Sequence, residues 1–148
     1  MPLSSIYLHI IFRTKSGTAP LKKEIREKVY RIMISKFPEH KSKVICINGV
    51  DDHIHIIAEI PTVFSLPDLI HKIKLSASVY IKAEHPECGF KGWNRSYAVF
   101  SCSKRELPIL INYVENQEIH HANKSTADEV QGLLEEHGVD YNIDFFDW

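Results

Sequence analysis

In the stretch DDHIHIIAEI, Asp51 to Ile60, two histidines stand one residue apart in a run that otherwise reads as a β-strand. Side chains two apart on a strand point to the same face. If Ile54, Ile56, Ala58 and Ile60 turn toward a core, His53 and His55 therefore point together to the opposite side, with Cβ atoms roughly 6–7 Å apart. Two imidazoles so placed can converge on one divalent metal, although two solvent-facing strand histidines give the same pattern. Further along, NYVENQEIHH sets Tyr113 and Gln117 four residues apart, a spacing that stacks them on one side of a helix. Leu107, Leu110, Ile111 and Val114 form the apolar stripe of that helix, and Tyr113 with Gln117 sits on its shoulder, able to reach the edge of a sheet site. A boundary tyrosine beside a solvated glutamine reads the same way.

The elements that must position these residues are legible from periodicity. Period-2 alternation marks four strands, at SIYLHIIF, KVICING, HIHIIAEI and SYAVFSCS; Ile6, Leu8, Ile10 and Phe12 share a face in the first, and Ala98, Phe100 and Cys102 in the last. Helical spacing fills the gaps. PLKKEIREKVYRIMISKF opens on a proline suited to a first turn and carries Leu21, Ile25, Val29 and Ile32. SLPDLIHKIKLSASVYIKAEH turns Leu66, Ile70, Ile73, Ala77 and Tyr80 inward. LPILINYVENQEIHHAN gives a third helix, and TADEVQGLLEEHG a fourth, with Thr126 as its cap and Gly138 as its stop. The turn GVDD joins strands two and three, with Gly49 supplying a tight hairpin. The order β-α-β-β-α-β-α-α predicts an α+β, ferredoxin-like split βαβ sandwich: an antiparallel sheet, two helices on one face, the other face free for a ligand or second chain, and extra C-terminal helices at about 105–138.

The 148 residues fit a single domain spanning 1–148, with 44% hydrophobic and 25% charged residues as in ordinary globular proteins. No internal repeat or low-complexity tract is present. No basic leader and no membrane-length apolar run appears, which predicts a cytoplasmic protein without a membrane partner. Cys46, Cys88 and Cys102 are odd in number and not closely spaced, so they read as free thiols rather than a disulfide framework or CxxC metal site. The net charge of −1 hides an asymmetry of +8 over residues 1–105 and −9 over 106–148. One end could thus present a positive surface to phosphates, or the asymmetry could reflect solvated helix faces alone.

Taken together, His53-Ile54-His55 after Asp52, the stretch WNRSYAVFSCS, Tyr113-Val-Glu-Asn-Gln117 followed by His120-His121, and the ending EVQGLLEEHGVDYN resemble the single-tyrosine transposases of bacterial insertion sequences, members of the HUH endonuclease superfamily, and also REP-associated tyrosine transposases. The resemblance runs over about residues 4–143. It implies that His53, His55 and Gln117 hold a catalytic Mg²⁺ or Mn²⁺, with no small organic cofactor, and that Tyr113 is the nucleophile. The implied activity is DNA transposition: cleavage of single-stranded DNA at insertion-sequence ends through a 5′-phosphotyrosine, then rejoining by a 3′-OH. The resemblance further implies hairpin recognition at element ends and a homodimer with composite sites, and leaves open whether Tyr113 serves its own histidines or a partner's. Asn94 stands where many relatives carry Gln, and Cys102 where Val is frequent.

These residue types suit the reaction. Transesterification of a phosphodiester needs an in-line nucleophile and charge stabilisation on the non-bridging oxygens, which a divalent cation supplies. Two neutral imidazoles and an amide leave the cation's charge mostly uncompensated, where carboxylates would blunt it. Arg13, Lys15, Lys22, Lys23, Arg26, Lys104 and Arg105 could line a DNA surface, in which contacts to phosphate fix position rather than sequence. His120 and His121 read as surface or supporting residues, and Glu59 shares the face of the histidine pair and could orient one of them. The main rival is a non-catalytic single-stranded or hairpin nucleic-acid-binding protein derived from such a transposase. The same fold carries binders that stack bases on sheet aromatics, and Tyr7 and Tyr97 are the aromatics expected on the open face. A cupin-like metal enzyme would need many more strands.

Overall fold

A computed structural model describes residues 3–15, 17–122, 124–142 and 148. The expected end of the third helix at Asn123, and the outermost residues Met1 and Pro2 of the expected domain, lie outside these. In chain order the elements are β1 (Tyr7–Thr14), α1 (Lys23–Ile34), β2 (Lys43–Val50), β3 (His53–Glu59), α2 (Leu66–Glu84), β4 (Trp93–Cys102), α3 (Leu107–Glu115), α4 (Gln117–His121) and α5 (Thr126–Glu136). The strands form one antiparallel sheet in the order β2-β3-β1-β4. That is the predicted α+β, ferredoxin-like arrangement.

One sheet face is an apolar core. Ile10 and Phe12 of β1 and Ile54, Ile56 and Ala58 of β3 pack against Ile25, Val29 and Met33 of α1 and Leu69, Ile73, Ala77 and Ile81 of α2. Their alternation on the strands and their three-to-four spacing on the helices bring these side chains into register. Met33, not Ile32, is the last fully buried residue of α1, and Pro20 precedes the helix instead of opening it, because Lys22 is the N-cap. Leu21 is drawn in by its own N–H, which donates to the Asp51 carbonyl at 2.8 Å.

The opposite face is not free. Three C-terminal helices cover it, with Tyr7 and Ile57 packing on Leu107 and Val114, and Ile11, Ala98 and Phe100 packing on Val130. Tyr97 is also not there. It lies opposite Phe12 in the sheet and joins the α1/α2 core, where the Lys74 ammonium sits 5.7 Å from its ring centroid.

Three local expectations change. The third helix is not continuous. It breaks at Asn116, whose backbone leaves the helical region (φ −99, ψ 25) while its side-chain amide donates to the Asn112 carbonyl at 2.7 Å, the kind of competing bond that makes Asn a poor interior helix residue. Ser125, not Thr126, caps α5, its hydroxyl accepting from the Asp128 N–H at 3.1 Å. At the other end Gly138 (φ +66) does stop the helix, with Gly138 N–H bonded to Glu135 and Val139 N–H to Leu134, a Schellman closure. Gly49 lies inside β2, and the turn itself is Asp51-Asp52. The need for glycine at 49 is close approach: a Cβ there would sit 2.2 Å from the His53 carbonyl oxygen.

Candidate metal and nucleophile site

The covered face of the sheet carries a polar hub inside an apolar ring. Antiparallel pairing sets Ile11 opposite His55 and Arg13 opposite His53, so the face that carries the two histidines on β3 also carries His9 and Arg13 of β1. His53 and His55 are fully buried and His9 nearly so. Each imidazole is oriented through its Nδ1 or its neighbour's ring: His53 Nδ1 lies 2.7 Å from Asp52 Oδ1, and His55 Nδ1 lies 2.8 Å from His9 Nε2, with the His9 and His55 rings stacked. Both Nε2 atoms are thereby turned to a common point, the arrangement by which outer partners fix metal-ligating histidines.

Asp52 does this because it is itself fixed. It accepts from the Thr126 hydroxyl at 2.9 Å and faces the Arg13 guanidinium at 3.6 Å. These partners and His53, working against burial, hold its carboxyl below the usual range.

Tyr113 and Gln117 arrive from α3 and α4 against the sheet of their own chain. Asn48 on β2 ties the end of α3 down, its side-chain amide donating to the Val114 and Glu115 carbonyls at 3.0 and 3.1 Å. The helix break at Asn116 leaves Gln117 fully buried, with Oε1 3.3 Å from His53 Nε2. The Tyr113 ring meets the His55 ring edge-on at 5.8 Å between centroids and stacks with His120 at 4.8 Å. The four residues singled out from the sequence, His53, His55, Tyr113 and Gln117, are therefore brought together within one chain.

The residue that joins them is Glu129 of α5, which the sequence reading missed. Its Oε1 lies 3.0 Å from each of His53 Nε2, His55 Nε2 and His121 Nε2, while Oε2 accepts from Gln117 Nε2 at 3.2 Å and from the Tyr113 hydroxyl. His53, His55 and Glu129 are a buried group whose ligand atoms lie within 4.8 Å of one another and could hold a metal ion. An acidic side chain thus stands among the histidines, beside the two imidazoles and the amide expected from the sequence. Glu59, at the far end of β3 opposite Tyr7, is not the acid that contacts the pair. Of the two histidines read as surface or supporting residues, His121 reaches the hub through Glu129 and His120 stacks on Tyr113.

Electrostatics follow from these contacts. Burial alone would lower the His53 pKa, but Asp52 and Glu129 outweigh it and raise it. His55, enclosed without an Asp52 of its own, is lowered to about 4, chiefly by burial, and His9 to about 3 by burial and then by His55. Burial works to raise the Glu129 pKa, yet the surrounding imidazoles pull it far below the carboxylate range. Burial, followed by the Glu129 charge, pushes the Tyr113 phenol well above its ordinary value. A divalent cation fits this donor set: imidazole nitrogens already aimed at one point, an amide oxygen, and a carboxylate.

Of the basic residues, Arg26 is buried and paired with Asp51 at 2.7 Å and Glu118 at 3.0 Å, Lys22 pairs with Asp51 at 2.6 Å, and Arg13 faces Asp52. Lys15, Lys23, Lys104 and Arg105 are exposed. An open cleft of about 540 Å³, lined in part by Arg26, Asp51, Asp52, His121 and Thr126, reaches one side of the hub. On the other side, a smaller pocket of about 200 Å³ is lined by His9, Phe100, Leu110, Tyr113 and His137. A larger cavity of about 760 Å³ around Phe64 and Glu39 lies away from all of these residues. Cys46, Cys88 and Cys102 are free thiols, and among the described residues no helix is long and apolar enough to cross a membrane.

Comparison with known proteins bears on the fold and the family. Two solved structures share the fold. One is a candidate transposase from Deinococcus radiodurans R1, at 20% identity and TM-score 0.61, covering 78% of this chain and 93% of that one. The other is a REP-associated tyrosine transposase bound to a REP hairpin, at 12% identity and TM-score 0.64, covering 100% of this chain and 87% of that one. No curated protein matches the chain. Residues 2–117 match the family model described as "Transposase IS200 like", a span that ends on the last residue of the Tyr113-Gln117 motif. The chain belongs to the IS200-like transposase family.

Proposed function

We propose that this transposase cleaves and rejoins single-stranded DNA at insertion-sequence ends by metal-dependent transesterification, with Tyr113 as nucleophile and His53, His55 and Gln117 as ligands of Mg²⁺ or Mn²⁺. The observation that carries the reading is the convergence of those four side chains on one buried point in one chain. In the reaction, the Tyr113 phenolic oxygen attacks the scissile phosphorus, the bond to the 3′ oxygen breaks, and that oxygen leaves as a 3′-OH. A 5′-phosphotyrosine is formed, and attack on it by a 3′-OH restores the tyrosine and joins the strands.

When bound, the cation supplies charge stabilisation to the non-bridging phosphate oxygens. The chain's own residues do the rest. Asp52 and His9 hold the two imidazoles with Nε2 toward the reacting centre. Asn48 keeps the tyrosine-bearing helix against the sheet. Burial and the Glu129 charge keep the phenol protonated, and positive charge placed at the hub would favour the phenolate that attacks.

Two features support the choice of substrate. A structural relative is bound to a REP hairpin, which favours hairpin DNA as the partner here. The exposed Lys15, Lys23, Lys104 and Arg105 would contact its backbone more readily than Arg13, Lys22 and Arg26, which face acidic side chains of the protein. The resemblance to insertion-sequence transposases favours a homodimer. With Tyr113 beside its own His55, each subunit would carry a complete site.

The test is incubation with labelled single strands from the flanks of its own gene, with and without Mn²⁺, for the wild type, Tyr113→Phe and His53→Ala. A metal-dependent, protein-linked DNA band on a denaturing gel, lost in both variants, is expected. Tight hairpin binding with no linked band would instead indicate a nucleic-acid-binding derivative that no longer cuts.

A further inference from the structure

Glu129 lies beyond residues 2–117 that match the family model, on a helix with its own reasons for docking. The Ser125 cap starts α5, the Thr126 hydroxyl donates to Asp52, and Val130 inserts beside Ile11, Ala98 and Phe100. Glu129 follows Thr126 by three positions, so the same side of the helix delivers a carboxylate that is only 3% exposed into the centre of the hub.

We infer that Glu129 bridges the ion and the nucleophile, Oε1 ligating the cation beside His53 and His55 while Oε2 holds the Tyr113 hydroxyl, so that metal loading clamps α5 onto the sheet. The inference rests on the metal-dependent reading above and deepens it.

Three geometric facts carry it. The first is spacing. In an octahedral site with bonds of about 2.1 Å, adjacent ligand atoms are about 3.0 Å apart, and Oε1 lies 3.0 Å from His53 Nε2 and 3.0 Å from His55 Nε2. The second is crowding. One carboxylate oxygen faces three imidazole nitrogens, while the Nδ1 atoms of His53 and His55 already face Asp52 and His9. A cation between Oε1 and the two β3 histidines lets both Nε2 atoms present lone pairs to it, and leaves His121 as the hydrogen-bond donor to the carboxylate. The third is the division of labour within the carboxylate. Oε2 meets Tyr113 and Gln117 and none of the three imidazoles, so ligation through Oε1 leaves the hold on the hydroxyl intact.

The consequence concerns α5 as well as the ion. A metal-bound Glu129 would replace its hydrogen bonds to His53 and His55 with a stronger attachment of α5 to the sheet, beside those of Val130 and Thr126, and would fix the distance from the ion to the tyrosine oxygen.

The experiment measures Mn²⁺ binding to the full-length protein by titration calorimetry for the wild type, Glu129→Gln and His53→Ala, together with hydrogen exchange of the α5 amides in the wild type with and without Mn²⁺. We expect one Mn²⁺ per chain in the wild type, affinity at least tenfold weaker in Glu129→Gln, no binding in His53→Ala, and slower α5 exchange with Mn²⁺. The exchange measurement needs no substitution at the hub, so it decides the matter even if Glu129→Gln does not fold. Unchanged or tighter Mn²⁺ binding by Glu129→Gln, or unchanged or faster α5 exchange with Mn²⁺, would overturn the inference and make Glu129 a competitor displaced by the ion. Loss of binding in His53→Ala alongside such a result would leave the metal-dependent reading standing. A wild type that binds no Mn²⁺ would bring down both.

Discussion

The two faces of the sheet use the same alternation to opposite ends. Toward α1 and α2, β3 presents Ile54, Ile56 and Ala58; toward α3–α5 it presents His53, His55 and Ile57, and all six are fully buried. Burial therefore does not distinguish them. What differs is how each face offsets the cost of losing water. The first gains the transfer of apolar area, at about 25 cal/mol per Å². The second must match every donor and acceptor, because an unpaired buried polar group costs about 1–3 kcal/mol. Among the described residues no buried side-chain nitrogen or oxygen lacks a partner. One face adds stability, and the other gathers the candidate site at some risk to stability.

The sharpest way to break that comparison is to alter each face and read both properties. Tyr113→Phe should remove the covalent DNA adduct altogether. Its effect on unfolding should be confined to about 1–2 kcal/mol, because Glu129 loses one donor but keeps Gln117 and the imidazoles. Ile73→Ala, in the α2 core, should do the reverse, costing about 2–5 kcal/mol in denaturant unfolding while the protein that stays folded retains its Mn²⁺ affinity.

The faces should also part in their response to pH, read by unfolding in EDTA. The native pKa values of His9 and His55, about 3 and about 4, lie below the unfolded value of 6.5. Their contribution is present above pH 6.5 and is lost as pH falls toward the folded values. Between pH 6.5 and 5, above the carboxylate range, each should remove about 1.4 kcal/mol per pH unit. His53 has the opposite sign: its folded pKa is raised, so its share is fully present below about pH 6.5 and is lost as pH rises through the folded value. His9→Phe should cut the acid slope between pH 6.5 and 5 by about half, since one of two such protons is then missing.

Smaller effects sharpen the picture. Gly49→Ala should cost about 1–3 kcal/mol and weaken Mn²⁺ binding, since the added methyl group would press on the His53 carbonyl. Lys104→Ala combined with Arg105→Ala should weaken hairpin binding to a similar degree for any sequence and reduce the salt slope by about one per lost phosphate contact.

Much of the site was legible in the sequence, and the reasons are local. His53 and His55 share a face because strands alternate, and Tyr113 and Gln117 share a side because helices repeat every three to four residues. Both rules act within a few residues. Glu129 could not be found that way. In TADEVQGLLEEHG it reads as a first-turn acid, stabilising at a helix N-terminus and otherwise solvated. What makes it central is the docking of α5 across the sheet, a contact between positions 74 and 76 residues apart. The available signal was indirect: His9 falls on the histidine face once β1 is paired beside β3, which marks that face as polar and in need of partners. The helix break at Asn116 and the cap at Ser125 were missed for a smaller reason, that neighbouring Asn, Ser and Thr side chains offer rival local bonds whose outcome tertiary contacts decide. The basic residues show the same limit. Arg13 and Arg26 look available in the sequence until Asp52, Asp51 and Glu118 are brought to them by the fold.

The measurement that tests the central claim most directly is identification of the linked residue: trap the adduct with single-stranded flanking DNA and Mn²⁺, digest both components, and locate the modified peptide by mass spectrometry. The site described here predicts a 5′-phosphonucleotide on Tyr113 that is absent in EDTA. Attachment to any other residue, or metal-dependent cleavage that persists in Tyr113→Phe with no linked intermediate, would contradict it.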